Sequence, residues 1–283
     1  MKVYTEKNKI IDAIAELKSQ KLSIGMVPTM GALHQGHLQL VIKALEDNEV
    51  VVVSVFVNPT QFDNKDDLEK YPRTLDDDVE LLKTVSKDAI IVYAPSVDDI
   101  YEGNTVSETF DFDGLEFEME GRFRHGHFDG VGTIVKRFFD IVKPHNAYFG
   151  EKDFQQLQII KKLVEKQHIP VNVIGCKIHR ETSGLAMSSR NTRLKPEHKL
   201  AAPFIYKILK TAKTHFGTKS ANKVTEWVEN QFKNHDVLEL EYFSIADTGT
   251  LKPVKRKSNN KTYRAFIAVY AGDIRLIDNI ALN

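Results

Sequence analysis

The sequence predicts an α/β fold, a doubly wound parallel sheet domain followed by a smaller α+β C-terminal domain. Three observations carry this. Between residues 10 and 178, apolar runs of strand length alternate with stretches of helical periodicity, the pattern of successive β-α-β units with right-handed crossovers. The run "VVVVSVFV" (50 to 57) is β-branched and apolar on both faces, which suits an inner strand of a parallel sheet. Beyond a polar connector, "HRETSGLAMSSRNTRLKPE" (179 to 197), the last three apolar segments alternate in strand fashion.

The elements follow in chain order. "IIDAIAELKSQK" (10 to 21) sets Ile10, Ile11, Ile14 and Leu17 at helical spacing with a polar reverse face, and "LSIGMV" (22 to 27) is a short strand. "HLQLVIKALEDN" (37 to 48) is a helix with Leu38, Val41, Ile42 and Leu45 on one side. "TLDDDVELLKTV" (74 to 85) is helical, with Asp76, Asp77 and Asp78 near its start, where negative charge complements the helix dipole. "AIIVYAP" (89 to 95) gives a third strand after "EVVVVSVFV" (49 to 57). After an irregular segment, "GVGTIVKRFFDIV" (130 to 142) reads as helix, "AYFG" (147 to 150) as strand, "DFQQLQIIKKLVEKQ" (153 to 167) as helix and "PVNVIGCKI" (170 to 178) as strand. Helices over about 197 to 214 and 220 to 233 then precede the strands "LELEYFSIAD", "YRAFIAVYAG" and "IRLIDNIAL". The expected domains are a Rossmann-like unit, 1–180, and an α+β unit, 181–283.

Composition narrows the class of function. The 283 residues suffice for one large domain or two ordinary ones. Lys+Arg and Asp+Glu both number 39, a neutral balance that advertises neither nucleic acid nor an anionic membrane as partner. The single cysteine, Cys176, excludes an intrachain disulfide framework and a multi-cysteine zinc site, and fits a reducing cytosol. The opening "MKVYTEKNKI" has no apolar segment of a secretory signal, and 50 to 57 is too short to span a bilayer. The expectation is a cytoplasmic globular protein.

Chemistry concentrates where strands end. "PTMGALHQGH" (28 to 37) joins the first long strand to its helix, the place where doubly wound sheets bind ligands. Gly31 and Gly36 let backbone approach a ligand, the helix N-terminus offers N–H groups to phosphate, and His34 and His37 add donors aimed at the same anion. A lone histidine here would more often cap or fill the turn; a doublet flanking a glycine favours the ligand. In "FVNPTQF" (56 to 62), Gln61 carries donor and acceptor, suited equally to a small hydroxy acid or to a solvated turn. In "GEKDFQQ" (150 to 156), Gly150 permits close approach, Lys152 can place a charge on phosphate, and Asp153 can cap the helix or meet ribose hydroxyls; a solvated helix start is the plainer alternative. In "AMSSRN" (186 to 191), Ser188, Ser189 and the forked cation of Arg190 suit a polyphosphate, although an isolated Ser-Ser-Arg is more often a polar linker. His125 and His127 in "RFRHGHFDGV" (122 to 131) could join His34 and His37 on a metal, but no acid or cysteine at zinc-site spacing accompanies them, and histidines of a loop over the pocket are favoured.

"PTMGALHQGH" resembles the H-x-G-H signature of the nucleotidyltransferase superfamily, which includes class I aminoacyl-tRNA synthetases. Together with "FVNPTQF", "YPRTLDDD" (71 to 78), "AYFGEKDFQQL" (147 to 157), "GLAMSSRN" (184 to 191), "GHFDGV" (126 to 131) and "RLIDN" (275 to 279), it is similar to the pantothenate synthetase (pantoate–β-alanine ligase) family over residues 3 to 279. The resemblance implies ATP-dependent condensation of (R)-pantoate with β-alanine through a pantoyl adenylate, releasing AMP and pyrophosphate. It implies that ATP is bound by Met30, Gly31, Ala32, Leu33, His34, Gln35, Gly36 and His37, by Gly150, Glu151, Lys152 and Asp153, and by His179, Met187, Ser188, Ser189 and Arg190. His37, His34 and Lys152 are the implied catalytic residues, His37 also being able to protonate a departing oxygen. Gln61 is assigned to pantoate and β-alanine, and Gln156, Pro28, Thr29 and Met30 to pantoate. Asp77 and Asp78 are candidate ligands of Mg²⁺, which usually rides on the nucleotide. A homodimer is expected, with residues 181–283 as a lid. Ser183 stands where the family has an aspartate. The rival enzyme reading is a nucleotidylyltransferase that releases an adenylylated product; an idle nucleotide- or RNA-binding module is the third.

Overall fold

The Val-rich run at 50 to 57 lies where its two apolar faces require, inside a parallel sheet with helices on both sides. The computed structural model describes residues 1–63 and 65–283, and it divides into two units, Met1–Lys177 and Ile178–Asn283. The first unit runs β1 (Lys2–Tyr4), α1 (Lys7–Ser19), β2 (Ile24–Thr29), α2 (Gln35–Asp47), β3 (Val50–Val55), α3 (Lys65–Glu69), α4 (Leu75–Lys83), β4 (Ile90–Tyr93), α5 (Val97–Tyr101), α6 (Glu120–Phe123), α7 (His127–Val142), β5 (Asn146–Gly150), α8 (Phe154–Lys166) and β6 (Asn172–Cys176). Its sheet has the order β1-β4-β3-β2-β5-β6 with every pairing parallel.

Alternate residues of the strands face opposite layers. Val51 and Val53 of β3 and Val27 of β2 join Leu38, Val41 and Ala44 of α2 and Leu82 of α4 in one core, all at or near zero exposure. On the other face Phe56 and Tyr93 meet Phe138 of α7 edge-on, both with ring centroids 5.9 Å apart. The chain builds outward from β2 through β3 to β4, then returns to place β5 on the other side of β2. The order reverses between β2 and β5, and the carboxyl ends of strands at such a switch are where doubly wound sheets bind ligands.

The second unit has α9 (Pro196–Ala201), α10 (Pro203–Thr218) and α11 (Ala221–Phe232) on an antiparallel sheet of β7 (Leu238–Asp247), β8 (Tyr263–Ala271) and β9 (Ile274–Ala281). Ile205, Leu209, Val224 and Val228 pack on Ile245, Ala265, Ile267 and Val269 to form its own core.

Three expectations need correction. The single helix over 197 to 214 is two, because Pro203 has no N–H to continue the ladder and restarts the helix at its first position. The edge strand β1 went unread: three residues, "KVY", hold no periodicity. The irregular segment between β4 and α7 contains the short helices α5 and α6.

Candidate active site

The histidine-bearing loop is built by a reciprocal cap. His34 is extended (φ −143°) and precedes the first residue of α2. Its Nδ1 accepts from the N–H of Gly36 at 3.1 Å, and the Nδ1 of His37 accepts from the N–H of His34 at 3.3 Å. Each ring therefore has its Nδ1 occupied as an acceptor, which places the proton of the neutral imidazole on Nε2. The rings lie 4.1 Å apart between centroids, tilted by 32°. His37 is half-buried, and desolvation, then the neighbouring His34 ring and the Lys152 ammonium, push its pKa down to about 3. At neutral pH it is an uncharged donor. In the structure as it stands, His37 is thus held as a hydrogen-bond donor through Nε2–H rather than as an imidazolium.

The loop before the cap is held from α4. Gly31 adopts φ +82°, and a Cβ there would come within 3.0 Å of Val55 Cγ1 and 3.1 Å of Asp78 Oδ2. Asp78, only 2% exposed, accepts from the N–H of Leu33 at 2.7 Å through Oδ1 and from the N–H of Ala32 at 3.0 Å through Oδ2. Burial pushes the Asp78 carboxyl above the usual carboxylate range, against the pull of those two N–H groups. Asp77 is exposed beside it. A carboxylate already engaged by two backbone donors, with its neighbour turned to solvent, does not fit a resident Mg²⁺ site. Among the described residues no group of three His, Cys, Asp or Glu side chains converges to hold a metal. Asp76 and Asp77 do sit in the first turn of α4 as a charge cluster, but Asp78 is a clamp on the Ala32–Leu33 backbone.

Neighbouring strand ends complete the rim. Thr29, last in β2, donates through Oγ1 to the Ser54 carbonyl of β3 at 2.6 Å and accepts from the Gly31 N–H at 3.2 Å. After β3 the chain turns through Pro59–Gln61. Gln61, 9% exposed, donates through Nε2 to the sulfur of Met30 at 3.2 Å, so its amide adjoins the residue that opens the histidine loop. After β5, Lys152 lies 3.7 Å from Asp153 and within electrostatic reach of His37. Asp153 occupies the cap position of α8, but its carboxylate makes no capping bond. A Cβ at Gly150 would meet nothing nearer than the Lys152 nitrogen at 4.0 Å, so the fold itself does not demand glycine there. Gln155 is buried and ties its amide to Leu115, Glu118 and Glu120 backbone, which leaves the half-buried Gln156 as the glutamine at this helix start available to a ligand. His127 is buried at the start of α7, its Nδ1–H on the Gln61 carbonyl at 2.8 Å, rather than lying in a loop over a pocket, while His125 is exposed.

The second unit carries the remaining assigned residues. The His179 carbonyl accepts from the Met187 N–H at 3.0 Å, and Ser188 caps the 3₁₀ turn Ser189–Arg193 by accepting from the Arg190 N–H at 3.3 Å. Asn191 ties this turn to the Glu181 carboxylate at 2.8 Å and the Ala186 carbonyl at 3.1 Å, and Arg180 is forked on Asp278 at 2.6 and 3.0 Å and lies 3.6 Å over the Tyr206 ring. Ser183 Oγ accepts from the Leu185 N–H at 3.4 Å, so a hydroxyl caps this turn. Asp78 and His127 were not singled out for these roles by the sequence. Only Asp78 carried a signal, an acid on the buried stripe of α4 four residues before Leu82.

The family model for pantoate-beta-alanine ligase matches residues 2–281. The chain is 58% identical over 283 residues to a pantothenate synthetase of Christiangramia forsetii, covering all of both chains. It is 60% identical over 266 residues to that of Flavobacterium psychrophilum, covering 94% of each. A crystal structure of pantoate-beta-alanine ligase from Thermus thermophilus superposes with a TM-score of 0.91 at 37% identity, covering 100% of this chain and 99% of that one. The Francisella tularensis enzyme, solved with beta-gamma ATP and beta-alanine, superposes at 0.79 with 35% identity, covering 100% of this chain and 98% of that one. The chain belongs to the pantoate–β-alanine ligase family.

Proposed function

We propose that the protein joins (R)-pantoate to β-alanine at the expense of ATP, through a pantoyl adenylate formed at the rim of the parallel sheet. The observation that carries this reading is the reciprocal His34–His37 cap, which fixes two Nε2–H donors at a helix N-terminus beside the switch between β2 and β5. In the first half-reaction the pantoate carboxylate attacks the α-phosphorus in line. A carboxylate is already a nucleophile at neutral pH, so positioning and charge stabilisation are what the protein supplies. His34, His37, Lys152 and the backbone from Met30 to Gly36 hold the phosphate oxygens as charge grows on them. Pyrophosphate, a weak base, leaves without a proton from His37.

Gln61 and Gln156 orient pantoate, with Pro28, Thr29 and Met30 alongside. Gly150, Glu151 and Asp153 take the nucleoside, His179 and Met187 the adenine side, and Ser188, Ser189 and Arg190 the departing phosphates, with residues 181–283 serving as the lid. Mg²⁺ enters on the triphosphate as part of the substrate and neutralises part of its charge. In the second half-reaction the β-alanine amine, once deprotonated, attacks the mixed anhydride and AMP leaves, so the rate rises with pH. We place the protein in the cytoplasm as a homodimer, which light scattering tests; no helix among the described residues is long and apolar enough to cross a membrane.

The test is release of AMP and pyrophosphate from purified protein with pantoate, with and without β-alanine. AMP that depends on β-alanine is the expected result. A stable nucleotidyl product would make the protein a nucleotidylyltransferase instead.

A further inference from the structure

The polarity of the Gln61 amide is set by its buried neighbours. Gln61 has its backbone carbonyl held by His127 Nδ1–H at 2.8 Å and by Arg124 at 3.3 Å, so the turn is anchored independently of its side chain. The side chain could still present either its oxygen or its nitrogen to the crevice. Asn58, 1% exposed, decides which. Its Nδ2 donates to the Gly130 carbonyl at 3.1 Å and to Gln61 Oε1 at 3.2 Å. The Gly130 carbonyl can only accept, so the Asn58 amide has one orientation available, with Oδ1 facing the other way. There the Tyr101 hydroxyl donates to it at 2.6 Å, supported by Thr60 Oγ1, which lies 2.9 Å from the Tyr101 oxygen and 3.2 Å from Asn58 Oδ1. Tyr101 is itself buried: 2% exposed, on α5, with the Arg137 guanidinium 4.7 Å over its ring. Gly130 completes the contact, since a Cβ there would strike the Thr60 carbonyl at 2.5 Å.

We propose that Tyr101 is a positioning residue for the acid substrate: through Asn58 it locks the Gln61 amide with Oε1 turned inward and the Nε2–H donors turned toward Met30 and the crevice. One Nε2–H meets the Met30 sulfur, a weak acceptor, and the other is left to donate to an oxygen of the acid. The same site would repel a ligand that offers a donor at this point. This rests on the reading of Gln61 as a pantoate residue given above, and it adds the reason why a neutral amide there favours an acceptor.

The experiment is steady-state kinetics of Tyr101→Phe and of the double variant Tyr101→Phe/Thr60→Val, with Thr60→Val alone, each checked for folding by circular dichroism. Loss of one buried donor should raise KM for pantoate about fivefold in Tyr101→Phe. The double variant, in which Asn58 Oδ1 has neither hydroxyl, should exceed the product of the single effects. KM for ATP should stay within twofold in all three. A merely structural role would lower the active fraction, and so kcat, without moving KM for one substrate alone. A pantoate KM within twofold of wild type in the double variant overturns the proposal while leaving the reaction assignment standing. Wild-type protein that neither binds nor turns over pantoate overturns both.

Discussion

Asp78→Asn separates a backbone clamp from a metal ligand. The wild-type carboxylate accepts from the Leu33 and Ala32 N–H groups at 2.7 and 3.0 Å while almost wholly buried. An amide keeps one acceptor and turns its NH₂ on the other N–H. The loss is one hydrogen bond to a charged group, about 1.5–3 kcal/mol, plus a buried donor left without acceptor, about 1–3 kcal/mol. Relief of the desolvation that raises the Asp78 pKa offsets part of this. The expected net loss is about 2 kcal/mol, read as a lower urea midpoint at unchanged slope. The histidine cap follows directly on Leu33, so displacement of the loop by the order of 1 Å should also lower kcat about 10²-fold. Asp77→Asn, at the exposed neighbour, is the control and should change stability by under about 0.5 kcal/mol. Stability within about 0.5 kcal/mol of wild type in Asp78→Asn, or an equal rise in the Mg²⁺ requirement of both variants, would refute the clamp.

Other outcomes follow from the same geometry. His37→Ala should lower kcat by about 10²-fold or more with little change in KM for pantoate, because a donor fixed on the developing charge is lost; a kcat within a few-fold of wild type would contradict this. Gly31→Ala should destabilise the loop by about 1–3 kcal/mol, given φ +82° and the contacts its Cβ would make, and should impair ATP binding in titration calorimetry. Desolvation, with Arg124 adding to it, lowers His127 to about 4, and His37 is lowered to about 3, so both histidines resist charging in the folded state and accept protons near pH 6.5 once unfolded. Stability is therefore fully present above pH 6.5 and falls as pH drops toward 4, by about 2 kcal/mol per histidine between pH 7 and 5; a His127→Asn variant should show a shallower acid slope in denaturant midpoints. Hydrogen exchange over residues 184 to 191 should slow when ATP binds, as the Ser188–Arg190 turn engages phosphate.

The fold was legible because the sheet is buried on both faces. Continuous apolar runs such as 50 to 57 admit little but inner parallel strands, and the stripes of α1, α2 and α8 repeat at helical spacing. Elements shorter than their own period, β1 and α5 among them, left no pattern to read. At the site, the candidate motif residues could be named from their type and place at strand ends. The residues that hold them could not, because Asp78 reaches back 45 positions to Leu33 and Tyr101 reaches 43 to Asn58, and spacing of that kind exists only in three dimensions. His37 shows the same limit in its chemistry: a histidine in a motif suggests an acid, while its folded surroundings make it a neutral donor.

The central claim is that a nucleotide triphosphate lies on the Nε2–H groups of two imidazoles whose Nδ1 atoms are committed to their own loop. A crystal structure of the protein with pantoate and a non-hydrolysable ATP analogue tests it most directly. Phosphate oxygens about 3 Å from Nε2 of both His34 and His37, with the Gly36 and His34 amides still on Nδ1, are expected. An analogue bound away from the β2–β5 switch, or either ring turned to meet phosphate through Nδ1, would contradict the account.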